Sequence, residues 1–112
     1  MSFEPREYLR HIHAEADYLA TASVGLTREK YRDDPTLQRA FARSLGIIGE
    51  AAKKVPPEVR MQHLDVEWRA MAGMRDRLIH DYFGIDHDLV WDVLQNKIPT
   101  LRAQMERILA SA

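Results

Sequence analysis

Apolar residues recur at helical spacing through nearly the whole chain, and this period constrains the fold more than any other feature of the sequence. Gaps of three and four residues place such a set on one face of a helix. The first set is Tyr8, Ile12, Ala16 and Leu19, the second is Leu37, Phe41, Leu45, Ile48, Ala52 and Val55, and the last is Val90, Leu94, Ile98, Leu101, Met105 and Ile108. The chain is therefore predicted to be all-α, with its helices packed through these stripes.

Proline and aspartate residues mark where the predicted helices begin and end. Helices are expected over roughly residues 4–24, 35–55 and 66–83 and from residue 86 onward, with a short helical turn at 58–63. Asp34, Asp65 and Asp86 are the expected N-caps of the second, third and fourth long helices. Pro56-Pro57 ends the second, and Pro99 predicts a kink or a break in the last. Four or five helices with short connections predict an up-and-down bundle.

Length and composition are those of an ordinary globular protein. The 112 residues suit one domain, residues 1–112, and 46% are hydrophobic and 29% charged. No apolar run is long enough to cross a bilayer, and the N-terminus lacks the layout of a signal peptide. There is no cysteine, which excludes disulfides and thiolate metal sites. These features predict a cytoplasmic protein that does not associate with membranes.

The charge pattern gives only a weak indication of partners. A formal net charge of −1 is not typical of a general nucleic-acid coat, although a local basic patch can still bind RNA. Arg28, Lys30 and Arg32 form the densest basic cluster, within a predicted polar connection at 27–34, where a solvated loop is the simpler interpretation. His11 and His13 do not share a helical face, so no metal or cofactor site is predicted.

Small residues run along the second helix on the side away from its apolar stripe. Ala42, Gly46 and Gly49 occupy this face. Glycine weakens a helix interior by roughly 1 kcal/mol relative to alanine, so its presence favours the close approach of another helix. Two tolerated glycines are an equally simple interpretation.

The segment "RDRLIHDY", residues 75–82, places an arginine among apolar residues. On a continuous helix over 66–83, Arg75 would lie in the middle of a stripe that includes Trp68, Met71 and Leu78. A buried charge is costly unless it is paired, so a core arginine held by a carboxylate such as Glu50 is one interpretation. The other is an arginine that contributes to a functional site.

On one straight helix, His80 and Arg75 would point in different directions and would not both be aimed at the same ligand. Five residues separate the two by about 140° around the axis and about 7.5 Å along it. The long arginine side chain, distortion near the expected helix end at Gly84, or two copies related by a two-fold axis could each bring them together. We favour the dimer, which would pool both pairs in one cleft. Asp76, four residues before His80, is expected to orient the imidazole.

Several ordered segments resemble those of a known family. "MRDRLIHDYFGID" is similar to the R-x4–6-H-x-Y signature of HepT-type toxins in the HEPN superfamily, and "SLGIIGEAAKKVP" resembles a segment of that family's second helix. The likeness covers nearly the whole chain. It implies a helical homodimer with a ribonuclease cleft at the interface, where Arg75 and His80 act with Asp76. It also implies a partner, the MNT-type nucleotidyltransferase antitoxin MntA, which transfers AMP to the motif tyrosine, here Tyr82.

The residue types agree with RNA cleavage that needs no metal. A 2′-hydroxyl can attack the adjacent phosphate while a histidine moves protons and an arginine stabilises the phosphorane oxygens. The expected products are a 2′,3′-cyclic phosphate and a 5′-hydroxyl. Tyr82 is interpreted either as a core tyrosine with a hydrogen-bonded hydroxyl or as the modified residue. The alternative function is a catalytically inactive helical binding module that partners a nucleotidyltransferase.

Overall fold

A computed structural model describes residues 3–79 and 84–111, and these residues are helical apart from short connections. The helices are Pro5–Ala22 (α1), Arg28–Arg32 (α2), Pro35–Lys54 (α3), Pro57–Met61 (α4), Trp68–Ala72 (α5), Met74–Leu78 (α6), His87–Asn96 (α7) and Ile98–Ala110 (α8). The only extended pairing in these ranges is a single antiparallel bridge between Ile79 and Ile85. The prediction of an all-α fold is confirmed. Four helices have ten or more residues, and four further helices have five residues each.

The core lies between the long helices. α1 packs against α3 and α8, and α3 also contacts α5 and α6. The apolar stripes predicted from the sequence are buried, except that Leu37 is half-buried. Burial of these side chains is the main term that stabilises such a small bundle. None of the helices in the described part of the chain is long and apolar enough to cross a membrane.

Two of the predicted helix ends have the expected capping geometry. The Asp34 carboxylate accepts a hydrogen bond from the backbone N–H of Leu37 at 3.1 Å, and Asp86 accepts one from Leu89 at 3.0 Å. Each carboxylate thereby satisfies one of the unpaired N–H groups in the first helical turn. The break predicted at Pro99 is also confirmed, since α7 ends at Asn96 and α8 starts after one intervening residue.

The connection at 27–34 is more ordered than predicted. It contains α2, in which Tyr31 is completely buried and its hydroxyl lies 2.9 Å from Nδ1 of His87. Burial raises the pKa of Tyr31 to about 12. Two of the three basic residues in this segment are engaged, because Arg28 and Arg32 donate to Asp88 on α7 at 2.5 and 2.7 Å. Most of the basic cluster therefore serves to join α2 to α7 through ion pairs.

The third long helix was predicted wrongly. Instead of one helix over 66–83, the chain forms two short helices that meet at Gly73, and the second ends at Leu78. Ile79 is extended, with φ −116° and ψ 107°, and the N–H of Asp86 donates to the Leu78 carbonyl at 2.8 Å. Asp65 does not cap this helix, because its carboxylate accepts from Arg107 on α8 at 2.7 Å. Glycine lowers helix propensity at the break. α5 begins at Trp68, with Glu67 at the N-cap position and no side-chain cap.

Candidate functional site

A cleft of about 470 Å³ opens between α1, α3 and α6. We call it the cationic cleft. Its charged residues are Arg43, Glu50, Lys54 and Arg75, and its aromatic end is formed by Phe3, Tyr8 and His11. Its volume falls within the range of ordinary small-ligand sites, about 300–1,000 Å³.

Arg75 lies at the edge of this cleft and is exposed, which corrects the prediction of an arginine buried in an apolar stripe. The prediction assumed one continuous helix, whereas the break at Gly73 gives α6 its own orientation. In α6 the buried side chains are Met74 and Leu78. Glu50 lines the same cleft but pairs with Lys53, at 3.5 Å, so it is not the partner that was considered for a buried Arg75.

The two glycines of α3 play different roles. Gly49 is buried against the α5–α6 segment, and a Cβ there would lie 3.0 Å from the Met71 carbonyl oxygen and 3.8 Å from the Arg75 nitrogen. Close approach at Gly49 therefore positions the start of α6, as the small-residue face predicted. Gly46 has no such neighbour, because a Cβ there would meet nothing within 4 Å, and this residue instead lines the cationic cleft.

The aromatic end of the cleft was not found from the sequence. The ring of His11 lies edge-on to those of Phe3 and Tyr8, with centroid separations of 5.1 and 6.3 Å, and the Phe3 and Tyr8 rings are 5.7 Å apart. Such edge-to-face contacts are favourable for aromatic rings. His11 had been considered only as a metal ligand together with His13. Its position in α1 gives no sequence signal for the cleft, because α3 and α6 supply the other walls.

The charges of the described residues that line the cleft are not balanced. It contains three cationic side chains and one carboxylate. Within residues 3–79 and 84–111, no ion pair or hydrogen bond involves the side-chain nitrogens of Arg43, Lys54 or Arg75. In a concave, partly apolar site such cations attract an anion more strongly than they would on an open surface.

Of the other predicted site residues, the structure describes Asp76 but not His80 or Tyr82. Asp76 is exposed on α6, while His80 and Tyr82 lie outside the described residues. Because α6 ends at Leu78, neither the 140° separation of Arg75 from His80 nor the one-turn spacing of Asp76 and His80 follows from helical geometry. Among the described residues, no group of three or more His, Asp or Glu side chains is arranged to hold a metal ion.

A second groove, of about 380 Å³, lies on the other side of α3, between that helix and α5 to α8. Its charged residues are Glu67, Arg77, Asp92 and Lys97, two of each sign. Lys97 pairs with Glu67 at 3.1 Å. We call this opening the second groove, and it differs from the cationic cleft in its charge balance.

The fold and the cleft together define a class: a small helical bundle with an open, positively charged cleft of the kind that binds anionic ligands. Comparison with known proteins then identifies the family. The model of the family described as "Ribonuclease HepT-like" matches residues 8–108, so the chain belongs to the HepT-like family. This confirms the resemblance noted in the sequence.

Curated relatives match over most of their length. The chain is 47% identical to "Putative RNase TTE0752" of Caldanaerobacter subterraneus subsp. tengcongensis, over 94% of each chain. It is 39% identical to "Putative RNase MJ0127" of Methanocaldococcus jannaschii, over 75% of this chain and 69% of the relative. It is 35% identical to "Probable ribonuclease HepT" of Thermococcus cleftensis, over 92% and 94%. No solved structure matches the chain significantly.

Proposed function

We propose that this chain is a single-domain endoribonuclease, the toxin of a HepT/MntA-type pair, and that it cuts RNA without a metal ion. The observation that supports this most directly is Arg75, which is exposed at the edge of a cleft whose cations have no counter-ions among the described residues. RNA phosphate is an anion that such a cleft suits. Membership of the HepT-like family supports the same reaction.

The proposed reaction is an intramolecular transesterification. The 2′-oxygen attacks the adjacent phosphorus, the bond from phosphorus to the 5′-oxygen breaks, and a 2′,3′-cyclic phosphate and a 5′-hydroxyl result. His80 accepts the proton of the attacking hydroxyl or donates one to the leaving oxygen. Arg75 stabilises the negative charge on the phosphorane oxygens, and Asp76 positions the imidazole of His80.

We further propose that the active form is a homodimer that pools two copies of Arg75 and His80. One imidazole has to exchange roles to serve both the attacking and the leaving oxygen, whereas two imidazoles in one cleft divide the two proton transfers. The exposed Arg75 and the half-buried Ile47 lie on the surface that a second copy would cover. A two-fold axis through this surface would bring the two sets of residues together.

Cleavage of a labelled RNA by the purified protein, in buffer containing EDTA, tests the mechanism. We expect Arg75→Ala and His80→Ala each to lower the rate by about 10²–10³-fold, as loss of an oxyanion donor or a proton carrier does. Arg77→Ala is the matched control, because Arg77 is exposed on the same helix but lines the second groove. It should cut at the wild-type rate.

The outcome that would overturn the mechanism is wild-type cleavage by either Arg75→Ala or His80→Ala. A folded wild-type protein that leaves RNA intact would favour the alternative, a non-catalytic module that partners a nucleotidyltransferase. The products should carry cyclic phosphate ends, which mass spectrometry of the fragments detects.

We propose that the partner nucleotidyltransferase silences the enzyme by adding AMP to Tyr82. Tyr82 is seven residues from Arg75 in the sequence. The phosphate of the added AMP would compete with RNA phosphate for the Arg75 guanidinium. In the same cleavage assay, the partner and ATP should stop the wild-type protein and leave Tyr82→Phe active. If Tyr82→Phe is silenced equally, or gains the same mass, Tyr82 is not the acceptor.

A further inference from the structure

The cationic cleft has aromatic side chains at one end and a row of cationic side chains along its length. We propose that it binds a short stretch of single-stranded RNA, with one unpaired base stacked on Phe3 and phosphates of the same strand on Arg43 and Lys54. The proposal rests on the proposed function, because it takes RNA as the ligand. It assigns binding roles to three residues outside the R-x4-H-x-Y motif.

Phe3 offers an open aromatic face. It remains 48% exposed although two other rings contact it. Its backbone N–H donates to the Tyr8 hydroxyl at 3.0 Å, and its ring lies edge-on to Tyr8 and His11 at interplanar angles of 87° and 86°. These contacts hold the ring in place at the end of the cleft. A fixed and exposed ring of this kind suits a nucleobase, whose flat faces stack on aromatic side chains.

The cations follow the length of α3. Arg43 and Lys54 are 11 residues apart, which corresponds to about 16 Å along a helix axis. The backbone of Arg75 lies beside Gly49, between these two levels. The cleft therefore presents three cations in succession along its length, two on α3 and one on α6. A row of this kind is the usual feature by which proteins follow a single-stranded phosphate backbone.

Two further observations bear on the ligand. Gly46 adds no side chain to the wall of α3, and a Cβ there would meet nothing within 4 Å, so beside Ile47 there is room for a planar group. The Glu50 carboxylate opposes phosphate but is paired with Lys53. A base inside a duplex already has both faces stacked, so only an unpaired base can lie against Phe3.

Binding can be measured apart from cleavage with a fluorescent RNA that carries 2′-O-methyl groups, because it has no attacking hydroxyl. We expect Phe3→Ala to weaken binding of this probe by about tenfold, the effect of losing one stacked base. The same variant should bind an abasic probe of equal length as well as wild type does. Phe3→Trp should restore the affinity for the probe with bases, since it keeps an aromatic face.

Arg43→Gln and Lys54→Gln should weaken binding of both probes and lower the salt dependence, by about 0.7 in the logarithmic slope for each lost phosphate contact. Arg77→Gln, in the second groove, is the control and should change neither quantity. A duplex probe should bind more weakly than the single strand to the wild-type protein.

The outcomes separate this proposal from the proposed function. If the wild-type protein cuts RNA but Phe3→Ala and Arg43→Gln bind both probes as wild type does, the nucleotide site is wrong and the nuclease assignment stands. If the variants change binding as expected but no RNA is cut, the site stands and the nuclease assignment falls. If the wild-type protein neither binds nor cuts RNA, both are overturned.

Discussion

The cationic cleft and the second groove lie on opposite sides of α3, and they differ in charge more than in size. Their volumes are about 470 and 380 Å³. The second groove has two residues of each charge sign, and an ion pair joins Lys97 to Glu67 across its rim. Among the described residues, the cationic cleft has three cations and one carboxylate, and that carboxylate pairs with Lys53, which does not line the cleft.

We interpret this difference as a division of roles, in which the cationic cleft serves binding and the second groove does not. At the second groove the charges of the two signs are equal in number, and Lys97 and Glu67 form an ion pair. Cationic side chains that share a concave site without counter-ions repel each other. A bound anion would neutralise this repulsion, so such a site favours an anionic ligand. Matched substitutions in the cationic cleft and in the second groove test this interpretation.

The largest effect is expected from filling each opening with a leucine. Gly46→Leu places a side chain in the cationic cleft, where a Cβ meets nothing within 4 Å, and should lower RNA cleavage by about tenfold or more by excluding substrate. Ala70→Leu, which narrows the second groove, should leave cleavage at the wild-type rate. Initial rates on a labelled RNA measure both.

Stability provides the control for this pair. Gly46→Leu should not unfold more easily than wild type, because leucine has a helix propensity better than that of glycine by about 0.5–1 kcal/mol. If Gly46→Leu cuts RNA normally, or if Ala70→Leu is the more damaging change, the functional side of α3 has been assigned wrongly.

The next largest effect is on stability, when each of the two glycines of α3 is replaced by alanine. Gly46→Ala should raise the free energy of unfolding by about 0.5–1 kcal/mol, because it gains helix propensity without a clash. Gly49→Ala should lower it by about 1 kcal/mol, because overpacking against the Met71 carbonyl outweighs the same gain. Urea denaturation of the two variants measures both signs. Two changes of equal sign would mean that close approach at Gly49 does not position α6.

The smallest effect is expected in acid, at the ion pair between Asp65 and Arg107. The Arg107 guanidinium, which donates to Asp65, holds the pKa of that carboxyl below its ordinary value of 3.8. A lowered folded-state pKa contributes stability above the unfolded pKa, and this contribution is lost as the pH falls below about 3.8 through the folded value. Asp65 is exposed, so the contribution is small.

Thermal unfolding at pH 7 and pH 3 tests this. Asp65→Asn should lose slightly less thermal stability between the two values than wild type does, and its RNA cleavage at neutral pH should be normal. An equal acid loss in both proteins would show that the Arg107 ion pair does not contribute, and reduced cleavage would place Asp65 on the functional side.

Most of the helical scaffold follows from local rules. The apolar stripes of α1, α3, α7 and α8 were predicted at the correct positions, because helical periodicity and burial of one face are properties of a single segment. The caps at Asp34 and Asp86 were found for the same reason, since a cap acts within three residues. The family was also recognised from the sequence, and the family model confirms it.

The errors concentrate between residues 65 and 79, where distant residues decide the local structure. Asp65 resembles an N-cap, but Arg107 binds it from α8. The helix that would have buried Arg75 is interrupted at Gly73, so the helical wheel placed its side chain on the wrong side. No local rule reports a partner that lies 42 residues away.

The sequence by itself determined the all-α class, the stripes that form the core, the limits of α1 and α3 to within a few residues, and the family to which the chain belongs. Only the tertiary structure decided that Arg75 is exposed and that it shares a cleft with Arg43, Lys54 and the aromatic end. The reason is physical. Periodicity and capping act within one or two helical turns, whereas a cleft exists only where separate helices meet, and charge balance across it depends on all of them.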